Sequence, residues 1–97
     1  MKKQPAVYLL SNKPNGTLYT GVTSHLPQRI WQHRNKTLKG FSAKYNLTNL
    51  VYYEILEDMY QAISREKQIK SGSRHTKIKL IESMNPDWND LYPEICD

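Results

Sequence analysis

The sequence predicts an α+β fold, a small, mainly antiparallel three-stranded sheet flanked by helices in the order β-β-α-β-α-α. Three observations carry this expectation. Two short runs, 6–11 and 17–23, are strand-like and flank Lys13-Pro14-Asn15-Gly16, whose residues suit a tight reversal. A third run, 49–56, is rich in aromatic and β-branched residues through Leu50-Val51-Tyr52-Tyr53-Glu54-Ile55. Between and beyond the runs, apolar residues recur at helical spacing. With 97 residues, 38% of them hydrophobic, there is room for one core and no second domain.

In chain order, Ala6-Val7-Tyr8-Leu9-Leu10 opens the sheet directly after Pro5. It is too short for the apolar region of a signal peptide. Pro27 suits a first helical position, and Leu26, Ile30 and Trp31 mark the apolar side of a helix reaching about Lys36. Residues 39–46 read as loop with a short helical turn. Asp58 can cap a second helix to about Lys70, with Met59, Ala62, Ile63 and Ile69 inward. Ser71-Gly72-Ser73 interrupts it, and Ser73 can cap a third helix to about Met84 that buries Ile78, Leu80 and Ile81. The expected division is one domain over 1–84, followed by an acidic, aromatic tail over 85–97 whose Trp88, Leu91, Tyr92 and Ile95 pack back on it.

Charge is distributed unevenly. All 14 Lys and Arg precede Leu80, accompanied by only Glu54, Glu57, Asp58 and Glu66, and the five later acids have no basic neighbours beyond that point. Such a basic body attracts polyanions, and Lys/Arg contacts to phosphate supply most non-specific nucleic-acid affinity. No run is long and apolar enough for a membrane span, so no membrane partner is expected. Cys96 is the lone cysteine, which excludes an intrachain disulfide, and the compartment reads as cytoplasmic. The four glycines are scattered, so no phosphate loop and no nucleotide cofactor are expected.

Several residues have the makings of chemistry. Glu66 falls four after Ala62 and three before Ile69, on the stripe meant for the core. A carboxylate there must be paired or metal-bound. Pairing with Lys70 is one reading; a single-carboxylate site for a hard ion such as Mg2+ is the other. Arg29 and His33 stand four apart on one helix face, where a guanidinium can hold phosphate oxygens and an imidazole can move a proton. Tyr8 and Tyr19 share a sheet face only if the paired residue numbers of their hairpin sum to an odd value, as with an Asn15-Gly16 turn. His25 and His75 have no zinc-ligand spacing with His33 and read as surface residues. The run from Arg65 to Lys79 supplies Arg65, Lys67, Lys70, Arg74 and Lys77 for a phosphate track. Arg34 and Lys36 extend the nucleic-acid contacts.

The order Ala6-Val7-Tyr8, Leu18-Tyr19-Thr20-Gly21-Val22-Thr23, Arg29 with His33, and Arg65-Glu66-Lys67-Gln68-Ile69-Lys70 resembles the GIY-YIG nuclease superfamily over about residues 5–84. In length and in the Arg-Glu-Lys block the chain is similar to its small stand-alone bacterial members. The resemblance implies a metal-dependent endonuclease acting on DNA, structure-selective or weakly selective, with Mg2+ and Mn2+ as the candidate ions. It also implies catalytic roles for Tyr8, Tyr19, Arg29, His33 and Glu66, with Glu66 as the metal ligand. Three positions depart from the pattern: Ala6 replaces a glycine, Val22 stands where some members have lysine, and 77–79 holds no asparagine. These departures keep open a non-catalytic nucleic-acid-binding module on the same fold. Oligomeric state is not specified by the sequence.

Overall fold

The computed structural model describes residues 4–96, so the lysines at 2 and 3 and the last tail residue lie outside the described residues. Strands β1 (Ala6–Ser11), β2 (Leu18–Thr23) and β3 (Asn49–Ile55) form one antiparallel sheet in the order β2-β1-β3. The expected α+β class and three-stranded sheet are both observed. The central strand β1 is buried along its whole length, which requires cover on both faces of the sheet.

The β1–β2 turn closes with Gly16 N–H donating to the Lys13 carbonyl at 2.9 Å, and Asn15 takes the left-handed conformation at φ 57°. Its centre is therefore Pro14-Asn15 and not Asn15-Gly16. Pro presets the second turn position and Asn tolerates positive φ at the third. The parity of the register survives, because Tyr8 opposes Gly21 and Leu10 opposes Tyr19. Both tyrosines consequently point to one face.

On that first face Ala6, Tyr8 and Leu10 pack with Leu26 and Ile30 of helix α1 (Leu26–Arg34), Leu47, Leu50 and Leu91, while Tyr92 and Ile95 close the margin. The second face joins Val7, Leu9, Val51 and Tyr52 to Ile69 of α3 (Met59–Ser71), Ile81 of α4 (Arg74–Met84) and Trp88. Val51 and Tyr52 lie in the same core because the β1–β3 register slips between Leu9 and Leu10, a bulge that turns two neighbours one way. Asp58 caps α3 through Gln61 N–H, and Ser73 caps α4 through Thr76 N–H, as their residue types lead one to expect. A short helix α2 (Phe41–Lys44) occupies the loop, and a further turn, α5 (Tyr92–Ile95), lies in the tail.

Two expected core residues are outside. Trp31 is 50% exposed and Ile63 is 40% exposed. The buried stripe of α1 is Leu26, Ile30 and His33, so Trp31, one residue beyond Ile30, is rotated by about 100° from it. Ile63 is displaced in the same way from Ala62 on α3. The tail is anchored by Leu91 N–H donating to the Leu50 carbonyl at 2.7 Å and by the buried Asn85 amide donating to the Val51 and Asn89 carbonyls. Among the described residues no helix is long and apolar enough to cross a membrane.

Candidate active site

Four elements deliver side chains to one end of the first face. Tyr8 from β1 and Tyr19 from β2 have ring centroids 6.4 Å apart, and the His33 imidazole from α1 lies 5.6 Å and 5.5 Å from them. His33 Nε2 is 2.8 Å from the Tyr8 hydroxyl, and its Nδ1 is 2.9 Å from Ser42 Oγ on α2. All three members of this chain are buried. Both imidazole nitrogens are thus occupied, fixing the ring.

Burial, then the neighbouring Tyr19, pushes the Tyr8 hydroxyl well above an ordinary phenol, against the pull of the Arg29 guanidinium; the Glu66 charge pushes the same way as Tyr19. Tyr8 is therefore protonated at neutral pH. His33 is lowered to about 4, first by burial and then by the positive charge of Arg29, so its imidazole is neutral. These influences bring Arg29 and Glu66 into the same electrostatic neighbourhood as the aromatic trio. Arg29 also borders a polar cleft of about 130 Å³ shared with Thr23, Ser24, His25, Gln28 and Gln32. The cleft gives an anion a place to meet the guanidinium.

Gly21 makes the Tyr8 position available. A Cβ on Gly21 would overlap the Tyr8 hydroxyl and the adjoining ring carbon, so the ring lies directly over the glycine backbone. Glu66 occupies the equivalent of an apolar position on α3 and has a side chain only 13% exposed; its Oε2 is 2.9 Å from Lys70 Nζ. The Lys70 ammonium is held above its usual pKa, chiefly by its hydrogen bond to Glu66 and also by Tyr19. No group of three or more His, Cys, Asp or Glu side chains converges among the described residues. Glu66 is the carboxylate that could hold a metal ion at this site, and a single-carboxylate donor set is one that Mg2+, with its waters and phosphate oxygens, can use.

The basic residues divide by what holds them. Arg34 donates to Asp90 and to the Thr48 carbonyl and lies 4.6 Å from the Tyr92 ring centre. Arg65 forks onto Glu54, with Nη2 to Oε2 at 2.8 Å and Nε within 3.1 Å of both oxygens. Arg74 holds the hairpin turn by donating to the Asn15 and Gly16 carbonyls at 2.6 Å and 2.8 Å. These three brace the fold. Lys36 and Lys67 are exposed, while Lys77 lines an open groove of about 390 Å³ between α3 and α4. His75 is exposed as expected; His25 is half-buried, with Nδ1 2.9 Å from Ser24 Oγ.

Nothing local in the sequence distinguishes Ser42, which falls within a stretch that reads as loop. A signal for burial of His33 was present: Leu26, Ile30 and His33 follow the same i, i+4, i+7 stripe that singles out Glu66 on α3.

The chain matches the family model described as the GIY-YIG catalytic domain over residues 4–79. A UPF0213 protein of Clostridium perfringens is 42% identical over 93 residues, spanning 92% of this chain and 95% of the relative. One from the VLF1-GP41 intergenic region of Autographa californica nuclear polyhedrosis virus is 41% identical over 81 residues, spanning 79% and 75%. The solution NMR structure of a UPF0213 protein from Bacillus halodurans superposes with a TM-score of 0.57 at 24% identity, covering 90% of this chain and 92% of the other, a likeness of fold.

Proposed function

The chain belongs to the GIY-YIG catalytic-domain family, and we propose that it is a divalent-metal-dependent endonuclease hydrolysing DNA phosphodiester bonds in the cytoplasm, structure-selective or weakly selective. In this reading residues 1–84 are the nuclease unit and 85–97 a tail that closes it. The observation that supports the reading most is the convergence of Tyr8, Tyr19, Arg29, His33 and Glu66 from four separate elements around one buried hydroxyl.

Glu66 would hold Mg2+, or Mn2+ in its place, and the ion when bound supplies charge neutralisation at the phosphate. The remaining roles belong to the chain's own groups. Arg29 binds the phosphate oxygens through its guanidinium. Tyr8, protonated because it is buried, acts as a donor and not as a base. In the tautomer that serves this role, Ser42 donates to His33 Nδ1 and His33 Nε2–H donates to the Tyr8 oxygen, leaving the Tyr8 proton for a phosphate oxygen. Tyr19 makes no hydrogen bond through its hydroxyl to the other described residues and faces the same space, so its hydroxyl is placed to orient the attacking water. The phosphate track rests on Lys36, Lys67 and Lys77, since Arg34, Arg65 and Arg74 have partners within the fold and Lys70 is paired with Glu66.

The test is metal-dependent cleavage of single-stranded, nicked and branched DNA by the purified chain, compared with Glu66→Gln, Arg29→Ala and Tyr19→Phe. Each substitution is expected to lower the rate by about 100-fold or more, the loss typical of removing one electrostatic group from a transition state. Rates unchanged by all three would reject the site. Salt-sensitive DNA binding with no scission at any Mg2+ or Mn2+ concentration would instead identify a binding module.

A further inference from the structure

The α2 segment presents to solvent what a core normally takes in. Ser42 and the following Leu47 are buried, and Ser42 holds the His33 ring, yet Phe41 and Tyr45 of the same turn are 46% and 43% exposed. Their spacing of four puts them side by side, with ring centroids 4.7 Å apart and planes tilted by 54°. Single exposed apolar residues are ordinary; an adjoining pair of aromatics is informative. Lys44 Nζ lies 5.5 Å from the Tyr45 ring centre. From 35 to 48 the sequence has Lys36, Lys39 and Lys44 and no acid, and none of the three forms an ion pair among the described residues.

The segment is also held in place. Gly40 enters α2 at φ 121°, a conformation that side-chain-bearing residues rarely adopt, and Leu47 N–H donates to the Ser42 carbonyl at 2.8 Å. Two hydrogen bonds, Ser42 to His33 and His33 to Tyr8, tie it to the catalytic cluster.

We propose that Phe41 and Tyr45 form a nucleobase-stacking platform beside the active site, taking an unpaired base of the strand being cut while neighbouring lysines meet its flanking phosphates. The proposal rests on the nucleic-acid substrate of the proposed function and adds a recognition element to it. Two half-exposed aromatic side chains offer roughly 200 Å², enough for a base and far short of the roughly 1,000 Å² of a stable protein interface. The lysines around the rings complement phosphate, and base–aromatic stacking combined with a basic track is how single strands are held without sequence readout. Trp31, half-exposed on α1, is a further exposed ring outside the core.

The test uses the full chain carrying Glu66→Gln, without added metal, so that binding is read apart from cleavage. Fluorescence anisotropy compares a mixed-sequence single-stranded oligonucleotide with one of equal length in which alternate nucleotides are abasic. The base-bearing strand is expected to bind about ten-fold more tightly, the scale of one stacked base. Phe41→Leu with Tyr45→Leu, which keeps apolar area but removes the π-faces, should erase that preference and leave the affinity for the abasic strand unchanged. Equal weakening on both strands, or no change on either, overturns the platform. So does an oligomer of the Glu66→Gln chain, seen by sedimentation, that the double leucine variant breaks, because the rings would then cover a second copy. Urea unfolding at an unchanged midpoint checks that the leucine variant is folded. If the wild-type chain cleaves DNA but shows no base preference, the nuclease reading stands and the platform fails; with a base preference and no cleavage, the platform stands and the nuclease reading fails.

Discussion

Alternate residues of β1 enter two interiors that differ in kind. Val7 and Leu9 meet Val51, Ile69, Ile81 and Trp88, an apolar core whose charged border, the Arg65 fork on Glu54, has its partner in place. Ala6 and Leu10 are equally buried on the other side, but between them Tyr8 carries a hydroxyl bonded to an imidazole that is itself bonded to Ser42. Helix α3 shows the same contrast between consecutive residues. Arg65 is locked in a two-pronged ion pair, and Glu66 meets one lysine whose side chain is 57% exposed. One face is closed by packing; the other holds buried polar groups whose remaining capacity points to a ligand.

Substitutions that separate stability from activity give the largest expected effects. Gly21→Ala places a methyl where the Tyr8 ring lies, so ring or strand must move. A displacement of about an ångström at a reacting group costs on the order of 100-fold in rate, and cleavage per folded molecule is expected to fall by at least that much. Ile81→Ala, in the opposite core and fully buried, should cost about 2–5 kcal/mol in stability while cleavage per folded molecule stays at the wild-type value. Urea unfolding and initial rates on the same preparations measure both. If Ile81→Ala lowers the rate of folded protein as far as Gly21→Ala does, the two faces are not independent.

A change of pH separates the faces in a second way. His33 is lowered to about 4 from the ordinary 6.5 by burial and by Arg29. Above about 6.5 the imidazole is neutral in both folded and unfolded chains, so it imposes no penalty. As pH falls through the interval the unfolded chain takes up a proton that the folded chain refuses, and stability declines until the folded group titrates near 4. The full loss is about 3 kcal/mol at 1.36 kcal/mol per pH unit. Wild type should lose about 2–3 kcal/mol more than His33→Gln between pH 7 and pH 4.5, measured by urea unfolding. Equal losses would mean that the imidazole is not buried neutral against Tyr8. The carboxylates, Glu54 of the other face included, contribute to both proteins alike and cancel in the difference.

How much of this is legible in the sequence follows from the range of each interaction. Local ones are: the caps Asp58 and Ser73 and the three strand segments; the parity that puts Tyr8 and Tyr19 on one face hangs on the turn geometry and is settled only by the register. Glu66 announces itself by lying on an apolar stripe, and His33 carries the same signature on α1. What escapes depends on partners distant in sequence. Arg34 reaches Asp90 and Arg74 reaches Asn15, so residues that look like a free basic track are occupied. The Ser42 contact requires the loop to fold over α1, and the exposure of Trp31 and Ile63 is set by helix rotations that one residue of stripe width decides.

The smallest effect expected is also the one that decides what Glu66 is for. An exposed i, i+4 Glu–Lys pair contributes about 0.3–0.5 kcal/mol, so Lys70→Ala should lower stability by no more than about 0.5 kcal/mol. Glu66 is the less exposed partner, with 13% of its side chain accessible, and a carboxylate that needed Lys70 for neutralisation would respond very differently. Removing one member of a truly buried pair costs about 3–5 kcal/mol, because a charge is left without compensation. Urea unfolding of Lys70→Ala therefore distinguishes two roles that share the same 2.9 Å contact. A small loss leaves Glu66 as a carboxylate that does not depend on Lys70 and is open to a metal ion. A loss above about 2 kcal/mol would make the pair structural, like Arg65 with Glu54, and would extend the closed character of the second face to the residue on which the proposed chemistry depends.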